Sequence, residues 1–143
     1  MKKVRYLLCK HCHNLIQMVN DAGVPVVCCG EPMTELIPNS SDGASEKHVP
    51  VVQRDGNTVH VNVGSVAHPM SGEHHIAWIA VVSKEGVQLK YLAPDQAPEA
   101  CFELCEGDEP ADVLAYCNLH GLWMAAVSYT HLRAHETPEH LVC

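Results

Sequence analysis

Val59-His60-Val61-Asn62-Val63 decides the fold class. The valines recur at every second position, so a strand would present them to one face and His60 and Asn62 to the other, whereas a helix would scatter them around its axis. Working outward, Val87, Leu89 and Tyr91 alternate with Gln88 and Lys90, and Ile76 to Val82 is an apolar run of strand length. Asp55-Gly56-Asn57, Glu85-Gly86 and Pro94 punctuate these segments at the spacing of an antiparallel all-β domain. No long helical period competes, although Ala111 to Tyr116, behind Pro110, could form one or two helical turns. There is no internal repeat.

Composition bounds what this chain can be. Its 143 residues, 47% hydrophobic and 18% charged, suit one medium domain or two small soluble ones. With one Phe, two Trp and four Tyr, the core must come from Val, Leu, Ile and Ala. Small domains with thin cores lean on metals or disulfides. A formal net charge of −8, with only nine Lys and Arg, argues against nucleic acid as a general partner, so any anionic substrate must be attracted locally. No apolar run approaches the about 20 residues that cross a bilayer. Met1-Lys2-Lys3 resembles the start of a signal peptide, but Val4 to Leu8 is interrupted by Arg5 and gives no adequate apolar segment. The reading is a cytoplasmic chain whose cysteines stay reduced and bind metal.

Eight cysteines and eleven histidines give that reading its material. Cys9 and Cys12 form a CxxC pair, and after 15 intervening residues come the adjacent Cys28 and Cys29. A tight CxxC turn presents both sulfurs to one ion, while adjacent cysteines tend to project differently and should distort the tetrahedron. Four thiolates suit zinc or iron and would add folding energy to a unit too small to bury a core. A structural zinc knuckle satisfies the same spacing; a dithiol redox pair needs fewer cysteines. Gly30-Glu31-Pro32 closes this unit, and Pro38 to Ser45 has linker composition.

The stretch from Tyr6 to Asn14 through Val27-Cys28-Cys29-Gly30-Glu31-Pro32-Met33 resembles the desulforedoxin domain. In that domain four cysteines bind one iron that passes single electrons. Further on come Glu46-Lys47-His48-Val49-Pro50, Gly64-Ser65-Val66-Ala67-His68-Pro69-Met70, His74-His75-Ile76-Ala77-Trp78-Ile79 and Tyr116-Cys117-Asn118-Leu119-His120-Gly121-Leu122-Trp123. In that order, these blocks are similar to the catalytic domain of superoxide reductases, and together with the cysteine unit they identify the chain as resembling the desulfoferrodoxin family from residue 1 to about 125.

The resemblance implies a small rubredoxin- or desulforedoxin-like metal domain over residues 1–36, a linker over 37–47, and an immunoglobulin-like antiparallel β-sandwich over 48–125. It implies two irons per chain. Cys9, Cys12, Cys28 and Cys29 would hold the first, where zinc could substitute. His48, His68, His74 and His120 would be equatorial ligands of the second, with Cys117 as axial thiolate and one position open. His75 could compete with His74, but His74 has the family's spacing from His68. A lone histidine in a strand-rich domain is ordinarily just a side chain, so this ligand set rests on the resemblance. Neutral imidazoles suit ferrous iron, and one anionic sulfur donates electron density across it.

The implied reaction is one-electron reduction of superoxide to hydrogen peroxide, with re-reduction by a carrier such as rubredoxin. Lys47 would attract superoxide and help order a proton-donating water, and Glu46 would occupy the sixth position of the oxidised iron and assist peroxide displacement. A homodimer is implied too. The competing reading is a non-catalytic electron-transfer or zinc-stabilised binding module. Cys101 and Cys105 read as small packed apolar residues, and Cys143 has no assigned role. Residues 126–143 have no counterpart in the family and read as a disordered or extraneous tail; His131, His135, His140 and Cys143 within it could be drawn as a third metal site.

Overall fold

A computed structural model of the chain describes residues 3–41 and 43–127. Two compact units divide between Ile37 and Pro38. The tail expected beyond residue 127, with its drawn metal site, lies outside the described residues.

In the first unit, β1 (Arg5–Leu8) is central to an antiparallel sheet with β2 (Leu15–Met18) and β5 (Thr34–Glu35), and β3 (Val27–Cys28) pairs with β4 (Glu31–Pro32) as a hairpin. The core is thin: Tyr6, Leu7 and Cys9 are its buried members. Burial raises the Tyr6 phenol to about 12, so it stays protonated. Arg5 bonds Asp21 and, at 3.1 Å, Glu35, pinning a loop and β5 to β1.

The second unit begins with a single helical turn, α1 (Ser45–His48), and continues entirely in strands: β6 (Pro50–Asp55), β7 (Thr58–Val63), β8 (Ile76–Ser83), β9 (Gly86–Tyr91), β10 (Glu99–Glu103), β11 (Pro110–Cys117) and β12 (Gly121–Ala126). They form two antiparallel sheets, ordered β10-β7-β6 and β12-β11-β8-β9. Val59, Val61, Val63 and Phe102 from one sheet share a buried cluster with Ile79, Val81, Val113 and Ala115 from the other. Full burial of each Val, Ile or Phe side chain among these contributes about 1.5–3 kcal/mol. The fold is thus mostly β, as the alternation requires.

Two expectations need correction. Ala111 to Tyr116 is strand, not helix: β11 pairs with β8 on one side and β12 on the other, which satisfies its backbone, and Val113, Ala115 and Cys117 reach the core at alternate positions. Pro110 sits at the strand's first residue, where a missing N–H is tolerated. Cys105 is exposed rather than packed, because it lies in the loop after β10; Cys101, within β10, is buried but disulfide-bonded, so it is not the reduced, merely packed cysteine expected.

The stretch expected as linker is tied to the second unit at several points. Asn39 N donates to Leu122 O at 2.9 Å, Ser41 Oγ donates to His120 O, and Gly43 lies so close to Trp123, His48 and His120 that an added Cβ would meet them at 3.1, 3.3 and 3.4 Å.

Candidate metal centres

Two groups of ligand-type side chains stand out among the described residues, each with its ligand atoms within 4.8 Å of one another: Cys9, Cys12, Cys28 and Cys29, and His48, His74, Cys117 and His120.

Backbone turns assemble the first group. Cys9 leaves β1 into a tight loop in which His13 N donates to Cys9 O and Cys9 N to Asn14 O, both at 2.8 Å, with His13 in the left-handed region at φ 69°. Cys28 pairs with Glu31, so Cys29 and Gly30 form a two-residue hairpin loop, with φ 54° and 79°. Positive φ at both central residues is the signature of a type I′ turn. That turn lets adjacent cysteines serve one cluster, despite the expectation that they project differently. The Cys12 and Cys28 sulfurs are 3.6 Å apart, and Asn14 Nδ2 donates to Cys28 Sγ at 3.7 Å.

The electrostatics of these thiols call for a cation. The Cys12 backbone N–H, ahead of other donors, lowers Cys9 to about 6, while Cys12 and then Cys9 raise Cys28, and raise Cys29 to about 12. One thiolate forms readily and suppresses ionisation of its neighbours. A divalent ion removes that conflict and releases protons as it binds.

The second group is assembled by loops at strand ends. His48 closes α1, and its Nδ1 must donate to Ala44 O at 2.8 Å, because a carbonyl only accepts; Nε2 is left with its lone pair. His68 repeats the arrangement, Nδ1 donating to Pro69 O at 2.6 Å. These bonds select the tautomer that metal ligation requires. Cys117 ends β11 at a register irregularity, and a short loop returns to β12 at Gly121, whose φ of 80° accounts for the glycine. That loop delivers Cys117 and His120 together, with Sγ and Nδ1 3.8 Å apart.

The imidazoles stand in a closed cycle. Ring centroids are 4.6 Å apart for His48–His68, 4.7 Å for His68–His74, 5.0 Å for His74–His120 and 4.8 Å for His48–His120, each pair edge-on or steeply inclined. His48 and His74 face each other at 6.2 Å. His68 stands outside the tight set of four but joins the cycle through its two neighbours. The test of fit is buried nitrogen: Nε2 of His68 and Nε2 of His74 are both buried without a hydrogen-bond partner. Orphaned lone pairs are costly in a protein interior, and a metal ion satisfies them. Burial first, then mutual repulsion, depresses the pKa of His48, His68 and His74, reaching about 4 for His68. Neutral imidazoles are what a cation needs. Burial raises the Cys117 thiol, so its ionisation also awaits a cation.

Glu46 and Lys47 are exposed on α1. Lys47 is among the positive groups that depress His48 and His74, so its charge reaches the site. His75 is outside the group, with Nδ1 against Ser71 O at 3.0 Å.

Sequence reasoning assigned no role to three supporting residues. Trp123 stacks on His48 at 4.8 Å and donates its indole N–H to His120 O at 3.1 Å. Ser71 braces the loop that carries His74, and Asn118 joins that loop to Cys117. Trp123 and Asn118 lie inside the block quoted for Cys117 and His120, but only their contacts reveal what they do.

Comparison with known proteins adds independent information. The desulfoferrodoxin family profile matches residues 40–126. A desulfoferrodoxin from Syntrophotalea carbinolica is 43% identical over 122 residues, covering 85% of this chain and 95% of its own. One from Nitratidesulfovibrio vulgaris is 46% identical over 117 residues, covering 82% and 91%. Among solved structures, the superoxide reductase from Treponema pallidum superposes with a TM-score of 0.74 at 40% identity, covering 87% of this chain and 99% of that one.

Proposed function

The chain belongs to the desulfoferrodoxin family, and from that premise we propose that it reduces superoxide to hydrogen peroxide at the second centre, with the first passing electrons to it. It is an oxidoreductase of the superoxide reductase class with two iron-binding clusters, one of cysteines and one of histidines with a cysteine. The observation that carries the reading is the cycle of four imidazoles beside Cys117, with buried, unpartnered Nε2 atoms on His68 and His74.

In this reading Cys9, Cys12, Cys28 and Cys29 hold the first iron, and His48, His68, His74, His120 and Cys117 hold the second. When bound, the second iron supplies one electron to superoxide, which with two protons gives hydrogen peroxide. The chain's residues do the rest. Lys47 sets a positive charge beside the site on a protein of net charge −8, so the substrate anion is drawn to one place. It also orders water from which a proton is delivered. Glu46, its neighbour, carries a carboxylate that would act at the oxidised centre and would assist displacement of the product. His48, His68 and His74 stay neutral because burial disfavours their charged forms, which keeps their lone pairs available.

The wider assignment follows from the same premise: a four-cysteine domain over 1–36, a connecting segment over 37–47, an immunoglobulin-like β-sandwich over 48–125, a homodimer, a cytoplasmic location and a rubredoxin-type donor. No helix among the described residues is long and apolar enough to cross a membrane.

Pulse radiolysis of the reduced, iron-loaded protein tests the proposal. Superoxide should decay at a rate proportional to protein concentration, one hydrogen peroxide forming for each superoxide consumed and no dioxygen. Release of dioxygen in step with peroxide would make the activity dismutation. A colourless protein that takes up zinc alone and leaves superoxide untouched would make it a binding module.

A further inference from the structure

Among the described residues, His74, unlike His48 and His68, has no ring nitrogen hydrogen-bonded to a backbone carbonyl. It lies on a loop between His68 and β8, and ligands on loops are positioned less rigidly than ligands on strands unless neighbouring groups hold them. Ser71 closes this loop on itself: Ser71 N donates to His74 O at 2.9 Å, and His74 N donates to Ser71 Oγ at 3.1 Å. These bonds make the loop compact but do not tie it to the rest of the centre.

We propose that Asn118 is the positioning residue that ties the His74 loop to the Cys117–His120 loop and so fixes where the His74 imidazole stands. Its Oδ1 accepts from His75 N at 2.9 Å, its Nδ2 donates to Glu73 O at 2.9 Å, and its own backbone N donates to His75 O at 3.2 Å. The two side-chain bonds bracket His74, one on each side. They start from the residue that follows Cys117 and precedes Leu119 and His120, so one amide sets three ligands relative to one another. Its orientation is forced, since a flipped amide would set oxygen against Glu73 O and N–H against His75 N–H. Only Asn at this length offers both a donor and an acceptor at that separation; Asp keeps the acceptor alone, and Leu keeps the size and neither. A supporting hydrogen bond of this kind is worth about 10–100-fold in metal affinity.

The inference rests on the reading that the second cluster binds iron, and the experiment separates the two. Full-length protein is loaded anaerobically with ferrous iron alone, and iron is withdrawn from each centre by a competing chelator while the thiolate-to-iron absorption of each is followed. Asn118→Leu should weaken iron at the second centre by about 10–100-fold and shift its absorption, leaving the four-cysteine absorption unchanged. Asn118→Asp should fall between Leu and the unsubstituted protein. Unchanged affinity and absorption in Asn118→Leu would overturn the role. If that variant does not fold, Asn118→Asp decides: weakened iron with an intact first centre supports the role, and undiminished iron overturns it. Failure of the unsubstituted protein to bind iron at the second centre would overturn the metal reading, and the inference with it.

Discussion

His48 Nε2 lies 3.1 Å from His120 Nδ1, two ring nitrogens brought together from positions 72 residues apart. Because His48 already donates through Nδ1, the contact is a hydrogen bond only while His120 Nδ1 carries a proton. A metal ion would need both lone pairs, which His120 can offer by carrying its proton on Nε2 instead, a change of tautomer with no net release; the Cys117 thiol, raised by burial, is the group at this centre that would have to give up a proton to become a ligand. Ferrous iron added to metal-free protein should therefore release a proton from Cys117 at this centre as well as protons from the four cysteines of the first, measurable as buffer-dependent heat in calorimetry. Uptake at the second centre without proton release, tracked in a Cys12→Ser background, would remove the Cys117 thiolate from the ligand set.

The same histidines set the pH dependence of the metal-free protein. His68 sits at about 4 in the fold against an ordinary 6.5, so between these values the unfolded chain binds more protons and stability rises with pH. The folded form should have its full stability above about 6.5 and lose it progressively toward pH 4, by about 1.4 kcal/mol for each pKa unit of difference. Urea midpoints of metal-free protein at pH 7, 5.5 and 4.5 check this. A flat profile would mean that the cluster is hydrated rather than buried.

How much of this was legible in the sequence depended on where the physics was local. β7 and β9 announce themselves because one face is apolar, and β8 because it is an unbroken apolar run. β11 did not: Ala111-Asp112-Val113-Leu114-Ala115 contains good helix formers, and strand wins only because partners lie on both sides. The ligands were legible as blocks of resemblance, since a lone histidine carries no signal of ligation. What joins the blocks was not. Asn118 bonds Glu73 across 45 positions and Trp123 covers His48, relationships that exist only after folding. The pairing of Cys28 with Cys29 looked awkward until the positive φ of Cys29 and Gly30 supplied the turn.

Separating the two centres should separate their functions. Cys12→Ser should lose the first metal and its absorption, yet retain reaction of the pre-reduced second centre with superoxide. Cys117→Ser should lose the reaction and leave the first centre intact. Rapid mixing with both variants decides; equal behaviour would refute the division of labour.

His68 deserves its own variant because it adjoins the tight group without belonging to it. If its buried Nε2 is a ligand, His68→Ala should lower iron affinity at the second centre by at least about 10-fold, the scale set by lesser outer-sphere losses. Chelator competition gives the number. Unaltered affinity would return His68 to the status of a buried neutral side chain.

Lys47 is exposed, and its effect should be one of attraction rather than stability. Lys47→Ala should slow the encounter with superoxide roughly tenfold at low salt and flatten its dependence on ionic strength, while leaving the unfolding midpoint unchanged. Pulse-radiolysis rates across a salt series would show it. Identical salt slopes for variant and parent would remove Lys47 from the steering role.

The turn at Gly64 packs against the backbone of α1, which carries Glu46 and Lys47. At φ 85° Gly64 sits in the region that favours glycine, and an added Cβ would lie 2.7 Å from Lys47 O and closer still to Val66 O. Around it, Gly64 N donates to Val49 O at 3.1 Å and Val66 N to Glu46 O at 2.9 Å, so this turn seats α1 and the three residues Glu46, Lys47 and His48 on it. Gly56 has a similar φ of 59° but nothing within 4 Å of its would-be Cβ. Gly56→Ala should therefore cost only the conformational strain, about 1–2 kcal/mol. Gly64→Ala adds an overpacking cost of about 1–3 kcal/mol whose relief requires both the Val66 carbonyl and α1 to move. It should also weaken iron at the second centre, which Gly56→Ala should not. Chemical denaturation and chelator competition on the two variants separate these effects. Equal losses in both would mean that the close approach of Gly64 to α1 is not what holds His48 in place.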